Sequence, residues 1–416
     1  MALPTFVARA DQRFACRDCP ARCCRVPWSI RFSAEETARY VAEPWIHARL
    51  SAEAMDVLER GVLPMREKDR RLQCVFLDDD MLCSMHKQFG HAYIPRSCQS
   101  FPFGFVARED NQVIAQLSNL CPSIRDNYGE PVTEMLEEKL EQSGNVERIS
   151  TAMSTIANVI LSRSQYLGIV ATWETHLREK DSPAAILATL YDRMLAFEEA
   201  LGSESERVED VAIDEAMKSA LATGAEALEP RDKPSFHARA LYSYTLGNLC
   251  YPSRVRQPHA VNATRAFQRT RSLTNKTAWM RNRGRVDLLF VPTPFKLQHV
   301  SGVAPFLAGE HGAIVRDYLV AALERRRVFS TPRYLLDVLV DLCMATVLIS
   351  RFARCSAVAS DRDEVNAADV REGTSVCEFV LFNHVVVAEE GMTITNLRRL
   401  LLSDRVKLRR LLSSET

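Results

Sequence analysis

From about residue 131 onward, apolar positions recur three and four residues apart, the spacing that lines one face of an α-helix. The stretch VTEMLEEKLEQSG ends in a glycine stop, and NVERISTAMSTIANVILSRSQYLGIVATWETHL keeps the helical spacing. DSPAAILATLYDRMLAFEEALG places Ser182 as N-cap and Pro183 at the first helical position. Each predicts a helix. The weakly apolar stretch over 202–235 is acidic at first and closed by prolines, which predicts a mobile connection containing one helix. A second helical block follows. Its most apolar run, YLLDVLVDLCMATVLIS at 334–350, carries Asp337 and Asp341 and is short for a bilayer, so it predicts a buried helix and no membrane span. There is no internal repeat and no sustained heptad, which argues against a solenoid or a coiled coil.

Before residue 131 the pattern changes. Short apolar pieces, LQCVFL and QVIAQLSNL, alternate with Gly, Pro, Asp and Asn, and FLDDDMLC reads as a turn between two short extended segments, with Asp78, Asp79 and Asp80 as turn residues. Between them, a helical insert at about 33–62 opens on a capping box, Ser33 with Glu36 three residues on. The expected fold is mainly α. A small irregular cysteine-rich metal-binding module with short strands (1–130) is packed on an all-helical region (131–416).

Composition narrows the chemistry. A chain of 416 residues, 47% apolar and 25% charged, can bury a core without disulfide staples. The first residues have no basic segment followed by an apolar one, so a cytoplasmic location is expected, where clustered thiols are more often metal-binding or catalytic than bridged. A net charge of zero implies no general affinity for nucleic acid or membrane. From Arg254 to Arg285, however, nine cations occur with no acidic residue. That segment suits an acidic protein surface, nucleic acid or an anionic cofactor, with Trp279 available to stack. The plainer reading is a solvated face balanced by the acidic residues at 203–215.

Eight of the twelve cysteines precede residue 122: Cys16, Cys19, Cys23 and Cys24 in FACRDCPARCCRVPW, then Cys74, Cys83, Cys98 and Cys121. Thiols two or three residues apart can wrap a metal or cap one face of a cluster, and the remaining ligands must come from afar. Thiolates suit zinc and iron-sulfur clusters and are poor ligands for magnesium or calcium. Adjacent Cys23 and Cys24 are expected to diverge, one binding and the other facing a second site or the core. His86 and His91 are further candidate ligands, although solvent-facing histidines are commoner. Cys250, Cys343, Cys355 and Cys377 lie on apolar helical patterns and are expected in the core. Trp28, Phe101 and Phe103 are expected to shield the thiols from solvent.

In order and neighbours, CRDCPARCCR, CVFLDDDMLCSMHKQFGHAYIPRSCQSFPF and LSNLCPS resemble the bacterial zinc- or iron-chelating cysteine-cluster family over about 14–124. That family often has Arg-Pro before its third block and Arg after the cysteine, where this chain has Ile94-Pro95 and Gln99. In length and in its helical tail the chain is similar to the flagellin lysine N-methylase family, with His384 in SVCEFVLFNHVVV matching a closing histidine. The resemblance implies methyl transfer from S-adenosylmethionine to lysines of a protein substrate, flagellin, with the eight cysteines holding an iron-sulfur cluster of the 4Fe-4S type. Alternatives are a non-catalytic protein holding zinc or iron, and a same-family enzyme acting on another protein or peptide. No strand leads into a Gly-x-Gly turn and helix, so an ordinary Rossmann methyltransferase is not expected. The first cysteines are separated by two then three residues, the reverse of the radical enzymes' order.

Overall fold

The computed structural model describes residues 5–7, 11–16, 21–26, 30–68, 71–107, 112–144, 146–148, 153–154, 160–179, 182–201, 215–217, 219–220, 228, 236–250, 265–291, 293–304, 306–324, 335–382 and 404–414. Most of them are helical, so the chain is mainly α. Cys19, Trp28, His384, residues 251–264 of the basic stretch and most of the 202–235 connection lie outside the described residues; 215–217 and 219–220 within that connection are helical.

The amino-terminal part begins with β1 (Thr5–Val7) and β2 (Arg13–Phe14), followed by a 3-10 turn, Arg22–Arg25. The insert forms as three helices, α1 (Ala34–Val41), α2 (Pro44–Arg49) and α3 (Ala52–Glu59). Pro44 restarts the chain at α2, because proline has no N–H to continue α1 but fits a first helical turn. The Ser33–Glu36 capping box is present in both directions. A hairpin of β3 (Met65–Lys68) and β4 (Arg71–Cys74) pairs Met65 with Cys74. After it come α4 (Ser84–Phe89), α5 (Arg96–Ser100), β5 (Phe103–Ala107), β6 (Gln112–Leu117), α6 (Pro122–Asp126), β7 (Glu130–Pro131), α7 (Leu136–Ser143) and β8 (Glu147–Arg148). The main sheet has the order β1-β6-β5-β8, with β1 parallel and β5 antiparallel to β6. Gly144, at φ 60, ends α7 where the sequence predicts a stop.

The helix predicted from about 145 to 177 starts later. β9 (Met153–Ser154) pairs with β10 (Ile160–Leu161), and α8 (Arg163–Leu177) begins behind a Ser162–Gln165 capping box. β-branched Ile160 favours the pleated surface, and the Ser-x-x-Gln signal at 162–165 marks the start of α8. α9 (Pro183–Leu201) begins as predicted, with the Ser182 carbonyl accepting the first helical bond; its buried hydroxyl makes no hydrogen bond and does not cap.

The chain continues through α10 (Phe236–Asn248), α11 (Arg265–Arg281), the pair β11 (Arg285–Val286) and β12 (Phe295–Lys296), α12 (Leu297–Val300), α13 (Gly309–Glu324), α14 (Leu335–Ala359), α15 (Ala367–Cys377) with a π-helical extension Glu378–Phe382, and α16 (Arg405–Ser413). Two compact units result: Met1–Glu147 with Ser243–Lys296, and Arg148–Tyr242 with Leu297–Thr416. The sequence predicts a division near residue 130, with a mobile connection near 202–235 that could split the helical region; the units instead change over at 147, and residues 243–296 return to the first.

In the second unit, α14 is buried almost throughout, as the apolar run at 334–350 predicts. No described helix is long and apolar enough to cross a membrane. Gly373 lets α15 lie close against α14: a Cβ there would sit 3.0 Å from the Ile349 carbonyl oxygen. Buried Asp192 of α9 accepts from Arg405 at 2.7 and 3.1 Å and from Arg409 at 2.5 Å, tying α16 to α9. Cys343, Cys355 and Cys377 are buried here and Cys250 is buried in the first unit, so all four are core residues as expected.

Candidate metal centre

The first unit has two apolar clusters. One, around Phe14, Phe103, Phe105 and Leu117, covers the sheet. The other joins the insert to the hairpin through Tyr40, Ile46, Leu58, Met65, Phe76 and Met85, and Cys24, Cys83 and Cys98 pack against it. Beside this second cluster lies a cavity of ≈160 Å³ whose lining includes Cys16, Cys23, Cys24, Cys74, Cys83 and Cys98.

Each thiol reaches the cavity from a different local device. Ala21 takes a left-handed backbone (φ 48), which turns the chain into the short 3-10 segment and brings Cys23 and Cys24 to the same cavity, Sγ to Sγ 3.9 Å. The two adjacent thiols therefore do not diverge toward separate sites. Cys74 ends β4 and is buried; its sulfur accepts the Phe76 N–H at 3.4 Å. Leu77 and Cys83 form a β-bridge that closes the acidic turn, and Cys83 leads into α4, whose Met85 and His86 N–H groups hydrogen-bond to its sulfur. Cys98 rides on α5, and Cys16 is exposed. Cys121 is placed elsewhere, buried at the start of α6 in the sheet-side cluster with Phe103 and Ile124.

Burial favours the neutral form of Cys24, Cys74, Cys83 and Cys98 in the absence of a cation. Burial, and then the neighbouring thiols, push Cys74 and Cys98 well above the usual thiol range. At Cys24 a hydrogen bond with Cys23 pulls down, but burial and the charges of Cys74, Cys98 and Cys83 together raise it. Burial also raises Cys83 against the pull of the two N–H donors. A bound cation would reverse this balance, displacing protons as the thiolates form.

Residues between the thiols complete the wall. Phe14, Phe76 and Phe101 line the cavity, while Phe103 belongs to the other cluster. His86 and His91 both line it, with ring centroids 5.5 Å apart; burial, then Lys139 and His86, lower the His91 pKa. Lys139 of α7 also reaches the cavity, a cation that the sequence pattern did not single out. Gln99 stands where the resembled family often has arginine. Its Nε2 donates to the carbonyls of Ala92 (3.2 Å) and Ile94 (2.6 Å), securing the segment that precedes α5. Asp78, Asp79 and Asp80 are turn residues held by ion pairs: Asp78 with Arg49 and Lys87, Asp79 with Lys68, Asp80 with Lys87.

Among the described residues, no three His, Cys, Asp or Glu side chains form a group that could hold a metal ion, so the predicted metal-binding module is not established by this arrangement. A tetrahedral zinc, at about 2.3 Å from each sulfur, needs four donors nearly in contact. The six thiols are instead spread around one cavity. Compared with family models, with curated proteins and with solved structures, the chain matches none.

Proposed function

We propose that the thiol-lined cavity binds an iron-sulfur cluster, and that the chain is an S-adenosylmethionine-dependent lysine N-methyltransferase acting on a protein such as flagellin. The observation that carries the cluster is the convergence of Cys16, Cys23, Cys24, Cys74, Cys83 and Cys98, from five separate chain segments, on the wall of one cavity. The wall offers six sulfur donors beside His86 and His91, which fits iron-sulfur chemistry, and the spread of the sulfurs suits a polynuclear centre better than one ion. The activity rests on the resemblance of the three cysteine blocks and the helical tail.

Bound there, the cluster would supply an iron coordination position for the amino and carboxylate groups of the methyl donor. The chain's own residues prepare that place. A four-iron cluster with one open iron takes three thiolates; Cys74, Cys83 and Cys98 would be these ligands, and Cys16, Cys23 and Cys24 would line the wall beside them. Phe14, Phe76 and Phe101 exclude water, which strengthens each charge interaction inside. Lys139 brings a cation to the same wall, where it would balance thiolate charge, and His86 and His91 bring hydrogen-bonding groups.

Anaerobic purification followed by iron, sulfide and zinc analysis tests the cluster. Iron and sulfide in comparable amounts are expected, lost on Cys74→Ser or Cys98→Ser and kept on Cys121→Ser. A colourless protein holding zinc alone would overturn it. For the activity, flagellin incubated with the loaded protein and S-adenosylmethionine should gain methyl groups by mass spectrometry; an intact cluster with no donor binding would remove the methyltransferase reading and leave the cluster standing.

A further inference from the structure

The carboxyl end of the basic stretch concentrates charge at one place. α11 ends at Arg281, and Asn282 (φ 48) and Gly284 (φ 110) turn the chain tightly into β11. Arg281, Arg283 and Arg285 are exposed along this turn. Across the antiparallel pair, Arg285 stands directly opposite exposed Lys296. Directly opposed residues on an antiparallel pair share a face, and like charges there are destabilising. Asp287 is the sole acidic residue between 254 and 309, and it is buried. Among the described residues, none of the four cations is in an ion pair.

We propose that Arg281, Arg283, Arg285 and Lys296 form a docking surface for an acidic segment of a partner protein. Among the described residues no acidic side chain pairs with these four cations, at a position where one acidic residue would relieve the repulsion. A carboxylate-rich chain laid along the turn supplies that relief from outside, and arginine's forked donors suit carboxylates. Nucleic acid fits less well. Binding to a single strand would use an aromatic platform beside the charges, yet Trp279 is 2% exposed and donates its indole N–H to the Cys250 sulfur at 3.2 Å, which removes the stacking role considered for it. The surface stands on the turn and its hairpin alone and does not depend on the metal.

Fluorescence anisotropy on the full-length protein, with a labelled twelve-residue Asp/Glu-rich peptide as probe and a single-stranded oligonucleotide of equal charge as competitor, tests this. Binding of the peptide is expected to weaken steeply with added salt, and to fall by at least about tenfold in the double variant Arg281→Glu, Arg283→Glu. Lys296→Glu separates docking from structure. It should weaken the peptide severalfold while leaving the midpoint of thermal unfolding unchanged or about a degree higher, because it replaces a like-charged cross-strand pair by an opposite-charged one. Failure of the wild type to bind the peptide, equal binding by the variants, or tighter binding of the oligonucleotide than of the peptide overturns the proposal, as does a Lys296→Glu protein that loses binding only because it unfolds earlier.

Discussion

One carboxylate serves two helices in the cysteine-rich unit. Glu36 Oε2 accepts the Ser33 N–H at 2.9 Å, closing the cap of α1, while Oε1 accepts the Arg96 N–H at 2.8 Å, the first residue of the helix that carries Cys98. Burial would raise its pKa, but the Arg96 and Ser33 donors together bring it below the ordinary glutamate value. The stability it contributes is therefore complete above that ordinary value, 4.5, and is lost as the pH falls through the lower folded one. Glu36→Gln presents an amide hydrogen to one of the two N–H groups, and is expected to cost roughly 1–3 kcal/mol by urea unfolding at neutral pH and to lower iron retention. Asp369 behaves alike in the second unit. Burial opposes its ionisation, yet Arg362, at 2.6 and 2.7 Å, and the Asn366 N–H hold it below the ordinary aspartate value. Asp369→Asn should lower stability at neutral pH by about 1–3 kcal/mol and flatten the acid limb of a stability–pH profile, as measured by urea titration from pH 3 to 7. The cap at Ser33–Glu36 was legible because both partners lie within one turn. The bond to Arg96 was not, since its partner is sixty residues away and nothing local announces it.

At the scale of elements, the 3-10 turn bearing Cys23 and Cys24 is held from a distant part of the sequence. The Arg22 guanidinium lies over the Phe290 ring, 3.9 Å from its centroid. Phe290 has a left-handed backbone (φ 72), a conformation that costs a bulky residue about 1–3 kcal/mol and persists only where its surroundings impose it. Those surroundings are the bridge between Cys250 and Leu288 and the Leu289 N–H bond to the Leu249 carbonyl, 2.8 Å. Phe290→Ala should speed alkylation of Cys23 and Cys24 in metal-free reduced protein by about two- to thirtyfold, with Cys83 and Cys98 little changed, while Phe290→Tyr keeps the wild-type rates. Peptide mapping by mass spectrometry after timed iodoacetamide exposure reads this out. Helices with a local start signal and an apolar face were legible, as α9 and α14 illustrate. Between 145 and 161 the described residues Glu147–Arg148, Met153–Ser154 and Ile160–Leu161 are strands where the apolar spacing predicts a helix, because that spacing fits short strands as well, and the Ser162–Gln165 cap decides where α8 starts.

For the whole molecule, eight clustered thiols pointed to one place, and six of the seven described ones meet there. Cys121 shares the cluster's sequence neighbourhood but packs under the sheet, a distinction that spacing alone cannot make because it depends on where β5 and β6 carry the chain. The composition of the units was less legible still, since residues 243–296 rejoin a body whose other members end at 147. A fragment of residues 1–147 therefore lacks Phe290 and the frame around it. Such a fragment is expected to retain little iron after anaerobic reconstitution, and addition of a 243–296 fragment to restore part of it, as followed by iron content per chain.

The interleaving of the two units also sets an order of events during synthesis. The last residue of the first unit, Lys296, is made about 200 residues after Cys98, at ~5–20 residues per second. The thiols thus spend roughly 10–40 s exposed to the cell before the segment that steadies Cys23 and Cys24 exists. Under the proposed function, stable loading of a cluster is expected only after translation has passed Phe290, because the turn that carries Cys23 and Cys24 lacks its Arg22–Phe290 contact until then.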